Sequence, residues 1–215
     1  MVIFDVDGTI LDTAEGILSA VRYTIQELGL AELSEDVIKT FIGPPIQDSF
    51  AKAYQIEDTQ RLQELARVFR DRYKDFDLLK ASSYDGIYKV FERLLKAGIK
   101  PAIATYKRED YAHIILRHFG FDQYTNILYG ADHENKLKKK DIIQKCLDTY
   151  GSLSVDKAIM IGDTDNDAIA AKQLGMDFLG VTYGFGFKTE EEIKQYTEIP
   201  AAHNTAMILS ILHIG

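Results

Sequence analysis

The sequence predicts an α/β fold: a doubly wound, mostly parallel sheet with helices on both faces and an α-helical domain inserted after the first strand. Three observations predict it. Short apolar runs rich in β-branched residues alternate with stretches of helical period. Glycines follow those stretches where a helix C-terminal cap belongs. One segment, residues 15–79, keeps helical periodicity without any strand pattern. A chain of 215 residues is long enough to bury roughly 70% of its unfolded surface, so one large domain with a smaller insert is expected.

Val2-Ile3-Phe4 reads as a buried first strand that ends in acid at Asp5. Ile17, Val21, Ile25 and Leu28 then mark a helix capped at Gly29. Val37, Ile38 and Phe41 mark a short second helix, Phe50 and Ala53 a third, and Leu62, Leu65, Ala66, Phe69 and Tyr73 a fourth. Gly43-Pro44-Pro45 breaks the second from the third. The alternation resumes with a helix on Ile87, Val90, Phe91, Leu94 and Leu95 before Gly98. A second strand, Lys100 to Ala104, ends at Thr105, and Ala112, Ile115, Leu116 and Phe119 mark the next helix before Gly120. A third strand spans Asn126 to Tyr129, and Ile142, Ile143 and Leu147 lead to Gly151. A fourth, Ala158 to Ile161, ends at Gly162-Asp163; Ala168, Ala171 and Leu174 run to Gly175, and Phe178 to Val181 is the fifth strand. The expected domains are therefore a core of residues 1–14 and 80–215 and a helical insert of residues 15–79.

Composition excludes several functions. A formal charge of −8 argues against nucleic acid or an anionic membrane surface as partner. The lone Cys146 can form no internal disulfide. Asp5 and Asp7 interrupt the apolar N-terminus, which lacks a basic leader, and no stretch approaches the ~20 apolar residues of a membrane span. The expected setting is cytoplasmic.

The polar residues at strand ends carry the chemistry, because ligands of open parallel sheets bind beyond the carboxyl ends of the strands. Asp5 and Asp7 follow the first strand, Thr105 closes the second, and Asp163 closes the fourth with Asp167 one helical turn on. Lys136, Lys138, Lys139 and Lys140 cluster before the helix that follows the third strand. Carboxylates converging on one rim repel one another and call for a hard cation, and an all-oxygen set suits Mg²⁺ better than Zn²⁺. A lysine and a hydroxyl beside that ion would clamp a phosphoryl group.

In order and spacing, Phe4-Asp5-Val6-Asp7-Gly8-Thr9, the strand-end Thr105, a lysine, and Gly162-Asp163-x-x-x-Asp167 resemble the four signatures of the haloacid dehalogenase-like superfamily, whose core is Rossmann-like. Ile42-Gly43-Pro44-Pro45, Tyr84-Asp85-Gly86 and Tyr183-Gly184-Phe185-Gly186 are similar to its phosphoglycolate phosphatase-like branch with a helical cap. The resemblance implies a Mg²⁺-dependent phosphatase acting on a small phosphorylated metabolite through an aspartyl-phosphate. Asp5 would be the nucleophile, and Asp7 the acid and then the base. Asp5, the Asp7 carbonyl and Asp163 would hold Mg²⁺, with Asp167 orienting that shell or binding through water. Gly8, Thr9, Thr105 and Tyr106 would line the phosphate site. Lys139 is the lysine that best matches the family pattern, with Lys140 and Lys138 as neighbours a shifted alignment would select. Lys140 stands where many relatives have proline, and Tyr106 where asparagine is common, so substrate choice does not follow from the branch.

Plainer readings stand beside these. Asp-x-Asp-Gly alone could be a turn with a helix cap. Asp163 to Asp167 imitates the start of a calcium loop, but Ala168 and Leu174 occupy the positions that need glycine and glutamate. Asp165 reads as a first-turn acid, the five histidines as surface or packing residues, and Cys146 as buried and inert. Gly43-Pro44-Pro45 is either an interhelix turn or a loop near substrate. The rival functions are a phosphomutase of the β-phosphoglucomutase type and a non-catalytic phospho-accepting signalling or binding protein.

Overall fold

The computed structural model describes residues 1–133, 136–151 and 155–214, except the side chain of Asp156. It divides into two compact units, Met1–Asp12 with Ser83–Gly215, and Thr13–Ser82. β1 (Val2–Phe4) and β2 (Leu11–Asp12) open the first unit. The second holds α1 (Ala14–Glu27), α2 (Glu35–Lys39), α3 (Ile46–Tyr54) and α4 (Thr59–Arg72), which runs on into a π-helical turn, Tyr73–Asp77. β3 (Ser82–Ser83) pairs with β2. The first unit continues with α5 (Ile87–Lys96), β4 (Pro101–Arg108), α6 (Glu109–His118), β5 (Leu128–Ala131) and α7 (Lys139–Tyr150). β6 (Ile159–Gly162), α8 (Asp165–Leu174), β7 (Asp177–Gly180), α9 (Glu190–Ile193) and α10 (Thr205–Ile211) complete it.

The main sheet has five strands in the order β5-β4-β1-β6-β7, and every pairing is parallel. The expected doubly wound architecture is present. β1 is central and buried on both faces, as alternation along a strand requires. Ile3 shares a core with Ile142, Ile143 and Cys146 of α7 and Ala168 and Ala171 of α8. Phe4, on the other face, stacks on Phe91 of α5 at 4.7 Å between ring centres. Cys146 is fully buried, and burial pushes its thiol up to about 12, so it packs as an inert apolar side chain. In the second unit, α1 turns Ile17, Ala20, Val21 and Ile25 inward and α4 turns in Leu65, Ala66 and Phe69.

Several boundaries differ from the sequence reading. β4 runs three residues past Thr105, through Tyr106, Lys107 and Arg108, with a register shift between Ala104 and Arg108. The third core strand is Leu128–Ala131 rather than Asn126 to Tyr129; the Thr125 hydroxyl takes the Ile127 N–H at 3.0 Å, while the Ile127 carbonyl accepts the Ile103 N–H at 2.9 Å. β2 and β3, of two residues each, are too short for a period to register. α9 and α10 were not anticipated either, although Thr189 and Asn204 cap them with side-chain oxygens.

Candidate active site

The sheet order places the winding reversal between β1 and β6, the crevice where doubly wound sheets take their ligands. Asp5 stands one residue beyond β1, and its N–H still donates to Ile161 of β6 at 2.9 Å. Asp163 stands one residue beyond β6. Asp167 lies in the first turn of α8, where Thr164 and Asp167 form a reciprocal capping box. Lys139 is the first residue of α7.

Lys139 is 3% exposed, whereas Lys136, Lys138 and Lys140 are exposed on the surface. Its Nζ lies 2.7 Å from Asp5 Oδ1 and 2.7 Å from Asp167 Oδ1. Of the four lysines weighed from sequence, only Lys139 is buried against these acids. Burial alone would lower its ammonium, but the charges of Asp167 and Asp5 outweigh that and hold it above its ordinary value. Asp5 is buried too. Desolvation raises its carboxyl, Lys139 pulls it back, and Asp167, Asp163 and Asp7 raise it again, to about 7.

Asp163 is fully buried and its position is built from backbone. Its Oδ2 accepts the N–H groups of Phe185 at 2.7 Å and Gly186 at 2.9 Å, and its carbonyl accepts that of Phe187 at 2.7 Å. Burial and Asp167 push its carboxyl up to about 6 against the pull of those amides and of Lys139. The Tyr183-Gly184-Phe185-Gly186 loop can come this close because it has glycine at two positions. A Cβ on Gly184 would lie 2.2 Å from the Gly8 carbonyl oxygen and 2.5 Å from Asp163 Oδ2. Gly8 meets the same carboxylate: its φ is +81°, and a Cβ there would fall 2.2 Å from Asp163 Oδ2.

Two side chains expected to line the phosphate site have other partners. Thr9 is fully buried; its hydroxyl lies 3.5 Å from Asp163 Oδ1, its N–H donates to Val6 and its carbonyl accepts the Tyr183 hydroxyl. Its observed contacts are thus to Asp163 and the backbone around it. The Tyr106 hydroxyl accepts the Lys139 N–H at 2.9 Å, and its ring lies 5.7 Å from Lys139 Nζ, so Tyr106 braces the lysine. The Gly8 N–H donates to Leu11. Thr105 is buried at the strand end and its hydroxyl accepts the Lys107 N–H at 3.1 Å. Asp7 stands apart from the other acids, with its Oδ1 3.0 Å from Lys107 Nζ. Lys107 was missed in the sequence, where it reads as an exposed charge after a strand; its side chain is 5% exposed.

Asp5, Asp163 and Asp167 offer carboxylate oxygens within 4.8 Å of one another. Three carboxylates crowd one ammonium, which contacts Asp5 and Asp167, so when ionised they leave a surplus of negative charge inside this group. An oxygen-only donor set with that surplus fits a hard divalent cation such as Mg²⁺. Asp167 Oδ2 accepts both the N–H and the hydroxyl of Thr164, while its buried Oδ1 has the Lys139 ammonium at 2.7 Å and no hydrogen-bond partner among the described residues. The Asp7 carboxylate is outside this group.

Comparisons with known proteins show the family of the chain. Residues 2–181 match the model of the family described as haloacid dehalogenase-like hydrolase. The chain is 31% identical over 212 residues to a 5'-nucleotidase of Pseudomonas aeruginosa, covering 98% of this chain and 94% of that protein. It is 29% identical over 198 residues to a phosphoglycolate phosphatase of Aquifex aeolicus, covering 92% and 91%. Among solved structures, that of a predicted phosphatase from Clostridium acetobutylicum superposes with a TM-score of 0.89 at 31% identity, over 99% of this chain and 98% of the other.

Proposed function

The chain belongs to the haloacid dehalogenase-like hydrolases and is a phosphoric monoester hydrolase, and on that premise we propose a Mg²⁺-dependent reaction on a small phosphorylated metabolite through an aspartyl-phosphate on Asp5. One observation carries the proposal: Lys139 Nζ sits 2.7 Å from both Asp5 and Asp167 at the sheet's reversal point. That contact aims one Asp5 oxygen and supplies positive charge where a phosphoryl group would arrive.

Asp5 attacks phosphorus in line with the leaving oxygen; the new P–O bond forms on its carboxylate as the ester P–O bond breaks. Asp7, protonated at the outset, gives its proton to the departing alkoxide and then takes one from the water that cleaves the aspartyl-phosphate, so Asp5 is restored as the carboxylate and Asp7 as the acid. Thr105 and Lys139 hold phosphoryl oxygens. Gly8 lets the chain turn beside Asp163 without a side chain. Asp5, the Asp7 carbonyl and Asp163 would hold Mg²⁺, and Asp167 would orient Lys139 and the shell around it. When bound, the ion supplies charge to the phosphoryl oxygens and offsets the repulsion among the acids. The unit Thr13–Ser82 serves as the helical cap that selects the leaving group.

Measurement of phosphate release from a panel of phosphomonoesters, phosphoglycolate and nucleoside monophosphates included, tests this directly. Release should require Mg²⁺ and vanish in EDTA-treated, metal-free buffer; undiminished turnover there would overturn the mechanism. Excess Ca²⁺ should inhibit, because its looser, higher coordination misplaces the nucleophile.

A further inference from the structure

The two acids of Asp5-x-Asp7 each have their own buried lysine. Asp5 pairs with Lys139, the first residue of α7, at 2.7 Å, and Asp7 pairs with Lys107, on β4, at 3.0 Å. The first pair follows from the proposed mechanism; the second does not. We propose that Lys107 is a positioning residue that fixes the Asp7 carboxyl group where its protonated form can give the proton to the leaving oxygen and its ionised form then pairs with the Lys107 ammonium, apart from the Asp5, Asp163 and Asp167 group. This deepens the phosphatase reading and rests on it.

Four observations support the inference. Lys107 is buried at 5% side-chain exposure although it is a lysine, and residues of that type are rarely buried without a paired charge. β1 and β4 are parallel neighbours with Phe4 opposite Ile103, so residues shortly beyond that pair approach one another across the same sheet edge. The Lys107 backbone is pinned: its N–H donates to the Thr105 hydroxyl, and a Cβ on Gly130 would lie 2.6 Å from its carbonyl oxygen. The Asp7 side chain is 14% exposed, so the ion pair is largely shielded from water and holds its geometry better than a surface pair would.

An acid donates in the transition state only from within hydrogen-bonding reach of the departing oxygen, and a displacement of about 1 Å can cost on the order of 10²-fold in rate. Removal of Lys107 should therefore matter in proportion to how much the leaving group needs a proton. The test compares kcat/KM for phenyl, 4-nitrophenyl and 2,4-dinitrophenyl phosphate in Lys107→Met, which keeps the stem and removes the charge, in Asp7→Asn, and in the double variant. The expected result is a loss of roughly 10- to 100-fold greater on phenyl than on dinitrophenyl phosphate. In the Asp7→Asn background, the further loss from Lys107→Met should shrink to within about threefold. Equal losses along the series, or an undiminished Lys107 effect without Asp7, would overturn the inference while leaving the phosphatase reading intact. An Asp7→Asn variant with no leaving-group dependence would overturn the role of Asp7 and this inference together. Lys107→Gln carries the same comparison if the methionine variant does not fold.

Discussion

At the residue scale, Asp77 shows how buried charge is managed away from the candidate site. It is fully buried in the helical unit, where it accepts from Ser19 Oγ at 3.0 Å, Arg72 Nε at 2.9 Å and Lys80 Nζ at 2.7 Å. Arg72 lies between the rings of Tyr23 and Phe76, 4.8 and 4.6 Å from their centres. Burial would raise the Asp77 carboxyl, but the bonds from Lys80, Arg72 and Ser19 outweigh it and hold the group below its ordinary value. A carboxyl depressed on folding stabilises the fold above its unfolded pKa of about 3.9, and that contribution is lost as pH falls through the folded value. Both cations are partly solvated, so Asp77→Asn should cost about 2 kcal/mol at pH 7 rather than the larger penalty of a sealed ion pair. The difference should narrow in acid, below about pH 4. Urea melts at both pH values check this; an unchanged difference would mean the charge is not what Asp77 contributes.

At the scale of elements, the Gly43-Pro44-Pro45 loop between α2 and α3 carries the proposal that the helical unit selects substrate. Gly43 and Pro44 are exposed, Gly43 has φ +103°, and a Cβ there would meet nothing within 4 Å. No packing of the loop within its own unit accounts for the exposed pair. Exchange of Pro44 for a bulky polar residue should change relative activities across a substrate panel by about tenfold or more, the scale of a single pocket contact. A small activated aryl phosphate should be hydrolysed nearly as before. Uniform loss on every substrate would make the loop an interhelix turn only.

The core strands and most helices were legible because their burial writes a period into the sequence: Ile87, Val90, Phe91 and Leu94 all point inward on α5. The same signal fails where burial is not apolar. β4 runs on through Tyr106, Lys107 and Arg108, which read as the start of a loop, because Tyr106 and Lys107 find polar partners in Lys139 and Asp7. Asp5, Asp163, Asp167 and Lys139 could be picked out by motif spacing, and their mutual contacts fit that choice. Thr9 could not be told from a phosphate ligand in sequence, since its hydroxyl is turned towards an acid 154 residues away. The Tyr183 to Gly186 stretch is visible as a motif, but the hydrogen bonds from its Phe185 and Gly186 N–H groups to Asp163 join positions 22 and 23 residues apart, which motif spacing does not encode.

At the scale of the whole molecule, one sheet topology explains why residues so far apart in sequence meet. Asp5 and Lys139 are separated by 134 positions, yet α7 begins where the chain returns across the sheet towards β6, and β1 and β6 are neighbours. The formal charge of −8 makes the molecule repel anions at long range, so an anionic substrate would need its attraction locally, in Lys139 and in a cation of the kind the three acids fit. Among the described residues no helix is long and apolar enough to cross a membrane.

The claim on which all of this turns is that Asp5 becomes phosphorylated. It is tested most directly by mixing the Asp7→Asn variant with 2,4-dinitrophenyl phosphate and Mg²⁺, quenching in acid within a turnover, and mapping the digested protein by mass spectrometry. That ester needs little proton donation to depart, while loss of Asp7 slows the attack of water, so the intermediate should accumulate. The predicted result is one added phosphoryl group on the peptide that carries Asp5, absent when Asp5 is also replaced by asparagine. Phosphate release without any phosphorylated protein, or a phosphoryl group found on another residue, would contradict the account.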